Sequence, residues 1–227
     1  MALPPGILAL GPWTPDQVEA TWTEEPWRAP PELERGADEA VAALRERGSP
    51  AHDGLAARLA GFDASPGRLV LSMQPARWAL RLLDYGGDSQ SLTALCVVRD
   101  ERGRWLAGRR AGWLATWANK WALGAGGAVE VGEDPSETLA RELDEEWQLT
   151  PERLTVEALV NLPSGLVSLV GLATVSNGAK PVPDAEHDEF AWWPAEVDRW
   201  PEEADPWLRT LATGLAGGPI DDPPPGR

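Results

Sequence analysis

The sequence predicts a mixed α/β layer structure preceded by a smaller N-terminal α+β unit, and three observations carry that expectation. After residue 91, apolar strand-like runs alternate with segments of helical periodicity. The first 35 residues are instead rich in Pro and Trp, as in "EEPWRAPP" and "PPELERG". Between the two regions lies "GGDSQS", residues 86–91, the clearest linker in the chain. A length of 227 residues, 43% hydrophobic and 25% charged, suits one domain with a smaller partner. The expected division is residues 1–88, residues 89–213 and a disordered tail at 214–227.

Taken in order, residues 1–35 read as an extended arm that packs by its aromatics. "DEAVAALRERG", 38–48, reads as a short helix with basic residues in its last turn and Gly48 as its stop. Leu69–Met73 and Trp78–Leu83 read as strands. Beyond the linker, "LTALCVVRD" and "RGRWLAGRR" are strands joined by the turn "DERG". Asp134 is a good N-cap, Pro135 suits the first helical position, and Glu137 would complete a capping box. That helix should run to about Trp147, with Leu139, Leu143 and Trp147 on one buried stripe. Strands follow near Leu154–Asn161 and Leu166–Ser176, and "EFAWWPAEV" runs from strand into helix.

Composition excludes several functions. No apolar run approaches the ~18 residues needed to span a bilayer. The opening "MALPPGILALGPWTP" carries no basic residue and does not read as a signal peptide. Cys96 is the single cysteine, so no intrachain disulfide forms, and a reducing, cytoplasmic setting is expected. A net charge of −16 argues against nucleic-acid binding but leaves room for a small phosphorylated ligand held by local cations. The 13 tryptophans read mainly as packing residues.

One stretch demands a chemical explanation: "GGAVEVGEDPSETLARELDEEWQL", residues 126–149. Glu142, Glu145 and Glu146 fall at i, i+3 and i+4 on one helical face. Each like-charge pair at about 6 Å costs roughly 3 kcal/mol at an effective dielectric near 20. A row of acids is by default a solvated face. Here, however, a Gly-rich turn leads into the helix and the acids border its buried stripe. Convergent carboxylates suit a hard divalent cation such as Mg²⁺, which is typically shared with substrate phosphates.

The segment resembles the signature of the Nudix hydrolases, Gly-x5-Glu-x7-Arg-Glu-U-x-Glu-Glu-x-Gly-U, where U is a bulky aliphatic residue. Gly127, Glu133, Arg141, Glu142, Leu143, Glu145, Glu146 and Leu149 fill it. Gln148 stands where the family has glycine, and an altered helix exit is expected there. Six fixed matches arise by chance on the order of 10⁻⁷ per start position. The resemblance covers roughly residues 91–212.

The resemblance implies an α/β/α sandwich with a mixed sheet and a pyrophosphohydrolase activity. It implies that Glu142, Glu145 and Glu146, with the Gly127 carbonyl, ligate Mg²⁺ or Mn²⁺, while Glu133 pairs with Arg141 to pin the loop. Attack would be by metal-activated water on a nucleoside diphosphate joined to another group. The general base stays open among Glu142, Glu186 and Glu189, the last two in the loop "DAEHDEF", where His187 reads as a loop or packing residue. Arg109 and Arg110 alternate along a strand, so only one can offer its guanidinium to phosphate. Lys120 is a weaker candidate, and Trp113, Trp117 and Trp121 could stack a base. Residues 53–71, "DGLAARLAGFDASPGRLVL", faintly resemble the G-x-x-x-R-L stretch of N-terminal subdomains in Nudix enzymes acting on nucleotide sugars or ADP-ribose. Such an extension implies a lid or a homodimer contact. Three alternatives remain. One is housecleaning of nucleoside triphosphates or dinucleoside polyphosphates, another a non-hydrolysing nucleotide sensor. The third, a prenyl diphosphate isomerase, would need Cys96 in the active site.

Overall fold

The computed structural model describes residues 3, 5–49, 53–83, 89–162 and 164–217. The chain begins with strands β1 (Gly6–Trp13) and β2 (Val18–Trp22), helix α1 (Pro31–Glu46), and strands β3 (Leu55–Ser65) and β4 (Arg68–Arg77). A 3₁₀ segment, Trp78–Leu82, closes this part. There follow β5 (Leu92–Asp100), β6 (Trp105–Arg110), β7 (Trp121–Leu123), β8 (Ala125–Ala128) and helix α2 (Pro135–Trp147). The chain ends in β9 (Arg153–Asn161), β10 (Val167–Val175), β11 (His187–Trp193) and helix α3 (Pro206–Leu215).

Among the described residues the large sheet runs β1-β9-β10-β5-β6-β11, with β7 on β6 and β8 on β5. It is mixed: β10 pairs parallel with β5 from Val167↔Leu92 to Val175↔Asp100, while its pairing with β9 is antiparallel. Period-2 alternation gives β5 two buried faces. Leu92, Ala94, Cys96 and Val98 enter a core with Leu139, Leu143 and Trp147 of α2. Val97 enters a second core with Leu208 and Leu211 of α3. The result is an α/β/α sandwich. The smaller sheet, β2-β4-β3, shares the first core through Leu59, Leu69, Leu71 and Met73.

Several expectations need correction. The expected extended arm is built into the two sheets: β1 is the edge strand of the large sheet on β9, so residues 6–13 lie across the expected boundary, and β2 joins the small sheet. Trp78–Leu82 is a 3₁₀ segment rather than a strand because consecutive Ala79 and Leu80 must both face Ala37 and Val41 of α1, which strand alternation forbids. Residues 84–88 of the expected linker region lie outside the described residues, but Ser89, Gln90 and Ser91 are buried, and the Gln90 carbonyl accepts from Leu59 N at 2.9 Å. The expected tail begins too early: Gly214 and Leu215 are buried in α3, and residues 218–227 lie outside the described residues. No helix of the described residues is long and apolar enough to cross a membrane.

Candidate active site

Helix α2 begins where Asp134 accepts from Ser136 N at 2.8 Å and from Ser136 Oγ at 2.7 Å. The cap therefore closes on Ser136, and Glu137 is exposed instead of completing a capping box. Leu139, Leu143 and Trp147 are 0% exposed and fasten the helix to the sheet. The helix leaves through Gln148 at φ 51, ψ 41. The expected change of exit does not occur: Gln148 adopts the left-handed conformation glycine would supply, at a cost of about 1 kcal/mol. Its N–H still bonds to Asp144 O at 2.8 Å.

This anchoring sorts the three glutamates. Glu142 and Glu146 are buried, and Glu145 is exposed. Glu146 accepts from Gly126 N at 2.9 Å. A Cβ at Gly127 would lie 2.1 Å from a Glu142 oxygen, so only glycine lets the backbone come this close. Arg141 reaches Glu133 at 2.7 Å, Glu142 at 2.8 Å and Glu145 at 3.0 Å, and donates to Ala128 O at 3.3 Å. Burial pushes Glu142 above the usual carboxylate range, with Arg141 opposing. It pushes Glu146 well above that range, where the Gly126 N–H opposes and Glu142 adds to the rise.

Two buried, mutually repelling carboxylates against a glycine backbone are a donor set of the kind hard divalent cations take, so the residues fit such an ion. Among the described residues no three ligating side chains converge, and Arg141 pairs with both Glu142 and Glu145. Glu142, Glu146, Glu145 and Gly127 are the residues that could hold the ion.

Above them opens a cavity of about 940 Å³. One wall is Arg141, Glu142, Glu145 and Glu146; the other holds Arg110, Trp113, Thr116 and Glu186, together with Gly54, Leu55, Trp78 and Arg81 from the N-terminal part. Arg110 faces this cavity and pairs with Glu186 at 3.4 Å. Arg109 points to the opposite side, 3.9 Å from Glu189, in a separate cavity of about 390 Å³ shared with Lys120 and Trp121. The structure thus brings Glu186 to the acids and keeps Glu189, Arg109 and Lys120 away. Trp113 and Trp117 are exposed, with Lys120 Nζ 5.5 Å from the Trp117 ring; Trp121 packs on Trp193 at 5.4 Å.

Two residues matter more than the sequence indicated. His187 is buried, its ring tilted 38° against Trp147 with 4.3 Å between centroids, Nδ1 3.2 Å from Asp184 and Nε2 3.6 Å from Glu146. Burial lowers its pKa and favours the neutral ring. The second is Arg81, whose only sequence signal is a cation inside the apolar run "RWALRLL".

The family model for the NUDIX domain matches residues 90–211. No curated protein matches the chain. Among solved structures it is similar to the MutT protein from Methanosarcina mazei Go1, 24% identical, covering 55% of this chain and 91% of that one, with a TM-score of 0.45. It is also similar to the NUDIX domain of Shewanella oneidensis NrtR complexed with ADP ribose, 23% identical over 50% and 79% of the two chains, TM-score 0.43. A third is a C. elegans Ap4A hydrolase, 23% identical over 55% and 98%, TM-score 0.44. The family match spans more than half of the chain and contains the whole acidic wall: the protein belongs to the NUDIX family and is a Nudix pyrophosphohydrolase.

Proposed function

We propose that the cleft hydrolyses a phosphoanhydride bond in a nucleoside diphosphate linked to another moiety, of the nucleotide-sugar or ADP-ribose type, with Mg²⁺ or Mn²⁺. The observation that carries this reading is the buried Glu142–Glu146 pair flooring a cavity that Arg110 enters from the other side. A divalent cation bound there supplies an acidified water and neutralises charge on phosphoryl oxygens. Glu142, Glu145 and Glu146, with Gly127, hold it. Arg141, pinned by Glu133, holds the turn against the helix. Arg110 offers a fork of donors to phosphate, and displacing Glu186 from that fork frees a carboxylate inside the cavity. Glu186 and Glu142 are therefore the carboxylates placed to take a proton from water, and Glu189 is not.

The room between the N-terminal part and α2 favours a substrate with a group beyond the diphosphate, and in this reading residues 1–88, apart from β1, act as a fixed lid on the domain at 89–213. The prenyl isomerase alternative loses support, because Cys96 is 0% exposed in the core and lines neither the 940 Å³ nor the 390 Å³ cavity. The deciding experiment incubates the purified chain and Mg²⁺ with nucleotide sugars, ADP-ribose, dinucleoside polyphosphates and nucleoside triphosphates. Nucleoside monophosphate release from the first two is the expected result. Turnover of triphosphates alone supports housecleaning, and binding without turnover supports a sensor.

A further inference from the structure

We propose that Arg81, carried by the N-terminal part of the chain, is a substrate-binding residue that forms with Arg110 a two-arginine seat for the diphosphate, opposite the carboxylates of α2. This rests on the reading of the cleft as a phosphoanhydride hydrolase.

The contrast with Arg77, four residues earlier at the end of β4, is the first support. Arg77 is wrapped by Asp53 at 2.6 Å, Asp38 at 2.7 Å and Glu34 at 3.0 Å, and is a structural cation. Arg81 makes no hydrogen bond or ion pair among the described residues; its guanidinium lies only over the Trp78 ring, 5.6 Å from the centroid. A partly buried guanidinium without an acceptor is costly. Burial pulls its pKa down to about 10; the charges of Glu142 and Glu186 oppose the fall and that of Arg110 adds to it. Neither carboxylate forms an ion pair with it, so its donors are left for an anion in the cavity.

The second support is position. Arg81 and Arg110 line both the 940 Å³ cavity and an adjoining, more apolar one of about 190 Å³, as do Gly126, Gly127 and Glu146. The two cations therefore stand on the lining the two cavities share, within charge range of Glu142 and Glu146. A diphosphate at that junction would offer acceptor oxygens to both guanidinium forks and leave its two substituents to the two cavities.

The third is rigidity. Ala79 and Leu80 pack on α1, Trp78 N donates to Gly54 O at 2.9 Å, and Ala57 N donates to Val129 O at 2.8 Å, just beyond β8. Ser49 Oγ also donates to the Trp113 carbonyl. Arg81 is thus held on a frame tied to the very turn that leads into the acids, and little ordering remains to be done on binding.

The test is calorimetric titration of the full chain with inorganic pyrophosphate in Mg²⁺, for wild type, Arg81→Ala, Arg81→Lys and Arg45→Ala, an exposed cation of α1 as control. Arg81→Ala should weaken binding by about tenfold or more, as loss of a charge-assisted hydrogen bond does, with Arg81→Lys between it and wild type. Arg45→Ala should match wild type. On a turned-over substrate, KM should rise more than kcat falls. Wild-type pyrophosphate affinity in Arg81→Ala, or no pyrophosphate binding by wild type, overturns the inference. If Arg81→Ala unfolds, Arg81→Lys with native melting and undiminished affinity does the same. Arg81-dependent pyrophosphate binding in a protein that hydrolyses no panel substrate would sink the hydrolase reading and leave the anion seat standing.

Discussion

The two walls of the cleft are built by opposite routes. The acidic wall comes from one stretch of chain, residues 126–146, where a glycine turn and a helix place every carboxylate. The basic wall is assembled from distant places: Arg81 after β4, Arg110 at the end of β6 and Glu186 just before β11. A contiguous wall is fixed by local geometry, helix periodicity and one cap. An assembled wall exists only once the small sheet has docked against β5 and β8. The chemistry of the metal should therefore be robust to changes outside α2, whereas substrate binding should be sensitive to how the N-terminal part is seated.

The largest effect should come from the acidic wall. In Glu146→Gln, kcat should fall by at least about 100-fold, since a ligated metal supplies several kcal/mol to phosphoryl chemistry. Without Mg²⁺ its melting temperature should equal or exceed that of wild type, because the change removes a buried charge that Glu142 repels. Glu145→Gln should also lose most activity but gain less stability, as Glu145 is exposed and paired with Arg141. Activity beside melting with and without Mg²⁺ checks both. Wild-type turnover in both variants would take the acidic wall out of the chemistry.

That contrast also explains how far the sequence could be read. The signature from Gly127 to Leu149 was legible because its defining polar contacts, Arg141 with Glu133 and Glu145 and Gly126 N with Glu146, lie within one stretch of chain, and Leu139, Leu143 and Trp147 are buried as their spacing requires. The alternation of Arg109 and Arg110 was legible too, but not which faces the substrate. That choice depends on which side of β6 receives α2, a property of sheet order. Arg81 was beyond reach because it rests on a 3₁₀ segment where alternation predicted a strand, and on a hydrogen bond from Ala57 of β3 to Val129, beyond β8. β1 was missed for the same reason: it pairs with β9, far along the chain, and Pro12 and Trp13 mask its pattern.

The basic wall gives the next largest effect. Arg110→Ala should lower kcat/KM by the equivalent of about 1.5–3 kcal/mol, the worth of a charge-assisted hydrogen bond. Arg109→Ala should be nearly neutral, since it faces Glu189 and a different cavity. Equal and small losses in both would mean that Arg110 is a solvated cation and that the two walls do not face one substrate.

Between the walls, Glu133 tests the joint. Glu133→Gln should cost about 1–2 kcal/mol of stability with or without Mg²⁺, because it breaks a two-pronged bond to partly buried Arg141. The loss should be limited, because Glu142 and Glu145 still hold that guanidinium. Denaturant midpoints in both conditions measure it. A destabilisation that Mg²⁺ fully reverses would make Glu133 part of the metal site instead.

The smallest effect belongs to the floor beneath both walls. Cys96 lies on β5, fully buried, and burial together with the negative charge of Glu146 pushes its thiol up to about 12. At neutral pH the nucleophilic thiolate is therefore scarce, and the sulfur reaches neither cavity wall. A thiol reagent should label the native protein only as fast as the chain opens and label the denatured protein at once. Cys96→Ala should leave kcat and KM within about twofold of wild type and cost about 1 kcal/mol of stability, the packing of one small buried side chain. Rapid labelling at neutral pH accompanied by loss of activity would put the sulfur in the chemistry after all, and the floor would then be a third participating surface rather than a support for the other two.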